Sequence, residues 1–364
     1  MTKMSKQLYT HLLRFEPLGS FFFGDESVNA EDGSMFYFQR SRYYPQQTTL
    51  LGTIRYQLLK QNGAFETHRE RIKEGYDAKA LIGEASFDAF TPNQSFGGIK
   101  QLSPVFVLNV ANQPLFECLT VANETLELAQ SPNWTAEVAF KEEKITWQNH
   151  SIVKAYDSKQ GFSESYADKC LKIHSKSDIY TSLNEKIGIN KPKEDEAHNN
   201  EGFFKLQYRR FKKGYAFGCY VNLKEDAALQ DTYVTMGKER SLFKMTVIPS
   251  NSTFEEQIPL LPSLSGGIWL LSDTFAFPEI LNKCTFTIND VISFRNIQTK
   301  LSTKNHFARP ASKKDSDIWK PDNRLQLLKR GSILFPIPDK RQELIDSLNY
   351  SHFQTIGYNY FTEL

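Results

Sequence analysis

A chain of 364 residues has room for two packed domains. Its 44 Lys and Arg against 42 Asp and Glu leave a net charge of +2, which argues against a bulk, sequence-blind nucleic-acid binder. Hydrophobic residues make up 40% and mean hydropathy is −0.47, and no run approaches the roughly 20 apolar residues of a membrane span.

Leu8 to Phe15 reads as a first strand, ended by Glu16-Pro17-Leu18-Gly19. Phe21-Phe22-Phe23-Gly24-Asp25 follows, then a polar loop through Gly33. Met35-Phe36-Tyr37-Phe38 is an alternating aromatic strand, and Arg40-Ser41-Arg42-Tyr43-Tyr44-Pro45 a basic aromatic turn. Leu50, Leu51, Ile54, Leu58 and Leu59 then recur at helical spacing, with Thr48 or Thr49 as the expected N-cap. Residues 61–100 are broken by Gly63, Gly75, Gly83 and Gly97-Gly98 and predict irregular structure. Gln101 to Val110 predicts one strong strand, with Leu115 to Val121 folding back on it across Asn112-Gln113-Pro114.

Residues 122–165 are polar with no clear period, and Ser165 to Lys172 predicts a short helix. Lys191 to Gly202 is charged and suits a domain junction. Phe203 to Phe211 and Tyr215 to Leu223 predict a hairpin around Lys212-Lys213-Gly214. With Arg209 and Arg210, its tip is the densest positive patch in the chain. It reads either as an RNA-facing tip or as a solvated edge kept from aggregating by its lysines. Lys224 to Asp231 predicts a helical turn, Leu242 to Ile248 and Gly267 to Leu271 strands, and Cys284 to Phe294 a strand pair. Arg324 to Phe335 holds a strand, Asp339 to Leu348 a short helix, and the chain closes on Gly357-Tyr358-Asn359-Tyr360-Phe361. Strands outnumber helices, yet both occur in each half, which predicts an α+β fold with split β-α-β units.

The opening MTKMSKQLYTHLLRF is too short and polar for a signal sequence. The cysteines Cys118, Cys170, Cys219 and Cys284 are far apart, so free thiols in a cytoplasmic protein are expected. The signatures of serine hydrolases, P-loop enzymes and zincins are absent. Cys170 and His174 lie four apart, but structural zinc needs four ligands and packing is the plainer account. Asp25, Glu26, Glu31 and Asp32 read as a solvated turn. His306, between Lys304 and Arg309, is the one histidine with a basic neighbourhood suited to metal-free RNA cleavage. The sequence predicts no catalytic constellation, no metal and no cofactor.

The basic aromatic turn carries the sharpest chemistry. Two arginines and two tyrosines precede a helix N-terminus, whose free N–H groups and positive dipole end suit an anion. Together they fit a phosphate backbone with stackable bases. The same residues also read as a plain strand–turn–helix with solvated arginines.

Several segments, in order, resemble a known family. Arg14-Phe15-Glu16-Pro17-Leu18 and Phe22-Phe23-Gly24-Asp25-Glu26 resemble the opening of CRISPR-associated RAMP proteins, and Tyr44 to Arg55 resembles the helix that follows. Gly202-Phe203-Phe204-Lys205, Gly237-Lys238-Glu239-Arg240-Ser241, Leu328-Lys329-Arg330-Gly331-Ser332 and Gly357-Tyr358-Asn359 fall in the order of the third-subunit family of the type III-B effector, the Cmr complex. The chain departs from the pattern where Gln46 follows Pro45 in place of a second proline, and where Gly237 stands alone before Lys238.

The resemblance implies two ferredoxin-like (RRM-like) domains packed together with long insertions, over residues 1–200 and 201–364. It implies a noncatalytic, cytoplasmic subunit in antiviral defence. That subunit holds the 5′ repeat-derived tag of the CRISPR RNA and contacts the large polymerase/cyclase-like subunit and a backbone RAMP subunit. A metal-independent RAMP ribonuclease processing guide RNA is the alternative, and a purely protein-bridging subunit a third. Carried onto this sequence, Arg40, Arg42 and Arg55 are phosphate candidates, Tyr43 and Tyr44 stack bases, and Gln46 and Thr48 open the helix. Gly237, Lys238, Arg240 and Ser241 form a second clamp. Lys205, Arg209 and Arg210 are reserves.

Overall fold

The computed structural model describes residues 8–24, 37–67, 69–83, 86–116, 136–139, 142–147, 150–157, 161–165, 179–181, 184–190, 202–225, 227–237, 239–258, 267–275, 278–294, 298–299, 318–319 and 325–363. In chain order, β1 (Tyr9–Pro17) and β2 (Tyr37–Arg40) lead to α1 (Gln47–Gln61). A small hairpin, β3 (Phe65–Glu66) with β4 (Arg69–Ile72), and the short α2 (Ala78–Ile82) follow. Next come β5 (Ile99–Leu102), β6 (Phe106–Leu108) and β7 (Pro114–Leu115). The polar stretch forms its own antiparallel sheet of β8 (Ala136–Ala139), β9 (Glu142–Trp147), β10 (His150–Asp157) and β11 (Gly161–Ser165).

Beyond these lie β12 (Asn184–Asn190), β13 (Gly202–Tyr208), β14 (Ala216–Leu223), β15 (Thr232–Met236) and β16 (Ser241–Ser252). The last stretch holds β17 (Ile268–Leu270), β18 (Thr274–Phe275), β19 (Cys284–Ile288), β20 (Val291–Phe294), β21 (Gln298–Thr299) and β22 (Ile318–Trp319). It ends with β23 (Leu325–Leu328), β24 (Ile333–Pro336), α3 (Arg341–Leu348) and β25 (Phe361–Glu363). The architecture is mixed α/β, rich in strands, with few helices and several sheets.

The largest sheet runs β15-β16-β1-β14-β6-β7, with β5 also on β14. It draws strands from both sides of residue 200. β1 sits in its middle, antiparallel to both neighbours, with Leu13 opposite Cys219 and Val247. A second antiparallel sheet runs β19-β24-β17-β25. Smaller sheets are β12-β13-β2 and β18-β23-β20.

α1 forms because Leu50, Leu51, Ile54, Leu58 and Leu59 make one buried stripe, packed in one core with Leu13, Phe15 and Phe217. Asn62 and Gly63 end it: the Asn62 N–H bonds back to Leu58 O at 3.1 Å, and Gly63 takes φ +69°. The expected threonine cap is not used. The helix starts two residues before the earlier of them would allow, with Gln46 as N-cap and no side-chain cap bond. Thr48 and Thr49 therefore fall inside the first turn. The start is fixed instead by Gln47, which donates to Ser103 O at 2.7 Å and accepts from Val105 N–H at 3.1 Å.

That contact explains another correction. The strand expected over Gln101–Val110 breaks at Ser103–Val105, because Pro104 has no N–H for a ladder. It does turn back into β7, with Leu108 opposite Pro114, which was expected in the turn, and residues 117–121 of the strand expected over Leu115–Val121 lie outside the described residues. In 61–100, β3, β4 and α2 form where irregular structure was expected, and Asp77 caps α2 by accepting from Ala80 N–H at 3.0 Å. Lys224–Asp231 forms a turn closed by Ala227 N–H to Lys224 O at 3.0 Å, not a helical one.

The predicted hairpin over 203–223 does not exist. β13 pairs with β12 and β2, while β14 pairs with β1, β5 and β6. The chain crosses between the two sheets because the Phe211 ring drops into the core, 4.7 Å from Phe217 and 5.2 Å from Phe21. Burying such a ring removes more apolar surface than a tight polar turn would. Lys212 N–H bonds to Ile179 O at 2.8 Å instead of closing a hairpin. Likewise β19 and β20 do not pair with each other, but with β24 and β23 respectively. The single strand expected over 324–335 is the pair β23 and β24, each in a different sheet. Ser165, expected to open a helix, ends β11, while residues 166–172 of that helix, the loop before Gly202, the Asp25–Asp32 cluster, Cys170, His174 and His306 lie outside the described residues.

Cys219 and Cys284 are free and buried, and burial pushes both thiols up to about 12. The thiolate is the reactive form. At pH 8 neither is expected to react with a thiol reagent until the chain unfolds, read by alkylation and mass mapping with and without denaturant. Labelling of Cys219 in the native protein would contradict the packing.

Candidate nucleic-acid interface

Five segments far apart in sequence meet at one cleft. The turn Arg40–Gln46 forms one wall. Arg209 comes from the end of β13, Asp273 from before β18, Ile292 from β20, and Lys329 and Arg330 from the turn between β23 and β24. The cleft holds about 250 Å³, and five basic side chains and one carboxylate line it.

The extended segment Phe21–Gly24 is held at both edges, on one of them by this turn. Ser41 Oγ accepts from Phe23 N–H at 2.9 Å, and Arg42 N–H donates to Phe23 O at 2.7 Å. On the other edge Ser241 Oγ accepts from Phe22 N–H at 3.0 Å. Gly237, at φ +78°, leaves room for Phe22 O, which a Cβ would meet at 2.5 Å. The Gly237–Ser241 turn therefore serves packing at both ends. Arg240 is exposed there at φ +49°, and Lys238 lies outside the described residues.

Each tyrosine of the turn carries an arginine. The Arg209 guanidinium lies 3.3 Å from the centre of the Tyr43 ring, and its Nε donates to Ser41 O at 2.7 Å. Tyr180 meets Tyr43 edge-on at 5.0 Å and donates its hydroxyl to Tyr43 O. Arg330 lies 4.2 Å over Tyr44. Arg42 Nη2 donates to Ser293 O at 2.7 Å, tying the turn to β20. One ring face of each tyrosine thus holds a guanidinium of the protein itself.

The structure gathers Arg40, Arg42, Tyr43, Tyr44, Gln46 and Arg209 at the cleft and leaves the other candidates elsewhere. Arg55 lies on α1 beneath the Phe96 ring at 5.2 Å, and burial pushes its guanidinium down to about 10. Thr48 lies against the buried Tyr358 hydroxyl, away from the lining. Lys205 pairs with Glu185 at 2.7 Å, and Arg210 is exposed beyond the cleft. Lys329 and Arg330 complete the lining without having been singled out as binding residues. Their signal was the paired charge before Gly331. Among the described residues, no group of three or more His, Cys, Asp or Glu is placed to hold a metal, and no helix is long and apolar enough to cross a membrane.

The sequence model described as CRISPR-associated protein (Cas_Cmr3) matches residues 13–267, more than two thirds of the chain. The chain belongs to that family. No curated protein matches it. A chain in the cryo-EM structure of the Type III-B Cmr-beta bound to cognate target RNA is similar, at 14% identity and a TM-score of 0.47, covering 97% of this chain and 96% of that one. A second, from the same assembly with cognate target RNA and AMPPnP in state 1, gives 13% identity and a TM-score of 0.44 over the same shares. In this Cas_Cmr3 family member the matched span includes the Arg40–Gln46 turn, Arg209 and the Gly237–Ser241 turn, and stops before Lys329 and Arg330.

Proposed function

We propose that this Cas_Cmr3 family member, as a noncatalytic subunit of a type III-B CRISPR (Cmr) RNA-guided effector, holds the 5′ repeat-derived tag of the CRISPR RNA in the Arg40–Arg330 cleft. The observation that carries this is the convergence of Arg40, Arg42, Arg209, Lys329 and Arg330 on a turn bearing Tyr43 and Tyr44. A near-neutral chain concentrates positive charge where a phosphate backbone is to be held. Contact with the large polymerase/cyclase-like subunit and a backbone subunit is supported by the family resemblance.

The strand orders support reading the fold as two ferredoxin-like units. In the largest sheet β16-β1-β14-β6 places the fourth, first, third and second strands of a split β-α-β unit side by side, and β25-β17-β24-β19 repeats that order. On this reading the units divide within 253–267, since β14 and β16 complete the sheet that β1 begins.

Replacing Arg40 and Lys329 with alanine is expected to weaken binding of a 5′-tagged guide at least tenfold. It should also flatten the dependence of log affinity on log salt by roughly 0.7 per lost phosphate contact. Arg40 is exposed, and Lys329 gives up a partly exposed pair with Asp290 at 2.7 Å, so the melting temperature should fall only slightly. Filter binding across a salt series on the assembled effector reads both effects. An unchanged affinity and slope would sink the cleft reading.

A further inference from the structure

The small sheet β12-β13-β2 has two very different faces. On the inner face, Leu206 and Tyr208 are buried with Phe22, and Lys186 lies 4.4 Å from the Tyr208 ring. Strand alternation and register place Phe38, Arg40, Lys205, Gln207, Glu185 and Ile187 on the opposite, outer face. There the Phe38 ring stands between two cations, the Arg40 guanidinium at 5.3 Å and the Lys205 ammonium at 5.8 Å. Ile187 beside them is 71% exposed. Glu185 takes Lys205 Nζ at 2.7 Å and Gln207 Nε2 at 2.9 Å, and these bonds hold its carboxyl below the usual range. Arg40 belongs both to this face and to the cleft lining, so the two form one continuous surface.

We propose that single-stranded RNA leaving the cleft continues onto this outer face, with one base stacked on Phe38 and its flanking phosphates between Arg40 and Lys205. The proposal rests on the cleft reading and extends it by one nucleotide subsite. An aromatic ring on an open sheet, flanked by cations, is the stacking platform that single strands use. Among the described side chains of this face Ile187 is the exposed aliphatic one, and two cations, a carboxylate and an amide surround Phe38, a composition that suits a nucleic acid. A phosphate at Lys205 has to displace Glu185. That is feasible, because the pair is exposed and such pairs are weak. Glu185 therefore opposes binding, and its removal should strengthen it.

The test is fluorescence anisotropy with a labelled 12-nucleotide single-stranded RNA, on the full chain and on the assembled effector. Phe38→Ala is expected to weaken binding roughly five- to hundredfold, with Phe38→Tyr close to wild type. Glu185→Gln is expected to tighten binding roughly two- to fivefold. A purely structural role for this face cannot produce opposite signs from two variants. If Arg40→Ala/Lys329→Ala weakens binding while Phe38→Ala leaves it unchanged, the platform is wrong and the cleft stands. If no variant changes binding, both fall. If Phe38→Ala blocks effector assembly with RNA affinity intact, the face belongs to a protein partner and the proposal is overturned.

Discussion

Replacing Gly357 with alanine is expected to destabilise the folded chain by about 3–5 kcal/mol, a large share of the 5–15 kcal/mol typical of a folded domain. Gly357 has φ +90°, where a side chain is strained. Its Cβ would also overlap Gln47 Nε2 and Ser103 O. Neither can move cheaply. Gln47 is buried and bonded at both ends of its amide. Ser103 is locked on β14, exchanging N–H and Oγ bonds with Tyr220 at 2.9 and 2.8 Å. Urea denaturation reads the loss as a lower midpoint at constant slope. Gly52→Ala is the control: Gly52 lies on α1 with nothing within 4 Å of an added Cβ, and should gain up to about 1 kcal/mol. A loss below 1 kcal/mol for Gly357→Ala would mean that this junction is soft.

The second large effect is expected at Arg330. Its side chain is 7% exposed and its partner Asp273 11%, with Nε 3.5 Å from Oδ1. The Arg330 N–H donates to the same carboxylate at 3.0 Å, and Nη1 donates to Val105 O. Arg330→Met leaves Asp273 buried without its counter-charge and should cost about 3–5 kcal/mol. Adding Asp273→Asn should recover most of that loss, because the amide oxygen still accepts from the Arg330 N–H while the stranded charge is gone. Thermal and urea unfolding of the single and double variants decide it. A double variant no better than Arg330→Met would show that the guanidinium acts through Tyr44 and Val105 rather than through the ion pair.

These two positions also show what the ordered motifs mean physically. Gly357-Tyr358-Asn359 is a packing device. Tyr358 is buried against Phe275 at 5.1 Å. Asn359, at φ +56°, accepts from Phe275 N–H and donates to Phe275 O and Leu348 O. Gly237 and Ser241 hold the Phe21–Gly24 segment in the same way. Residues quoted for a resemblance in function thus prove to set backbone conformations and close approaches, which leave a recognisable trace because few residue types satisfy them.

The sequence by itself determined α1, whose apolar spacing leaves one way to bury five aliphatic side chains, and the strands β1, β14 and β16. It also placed the basic aromatic turn at the head of α1 and fixed the family through the order of its motifs. Only the tertiary structure decided which basic residues share a cleft. Arg42 and Arg330 share it because β23 pairs with β20 before the chain turns into the sheet of β24, and Arg209 joins them because β13 and β14 part company around a buried Phe211. Arg55, equally basic and closer in sequence, is turned under Phe96 by its position on the helix. Local periodicity reports which face of one element is buried. It carries no information on which elements lie side by side, since that depends on long-range strand pairing and on which rings fill the core.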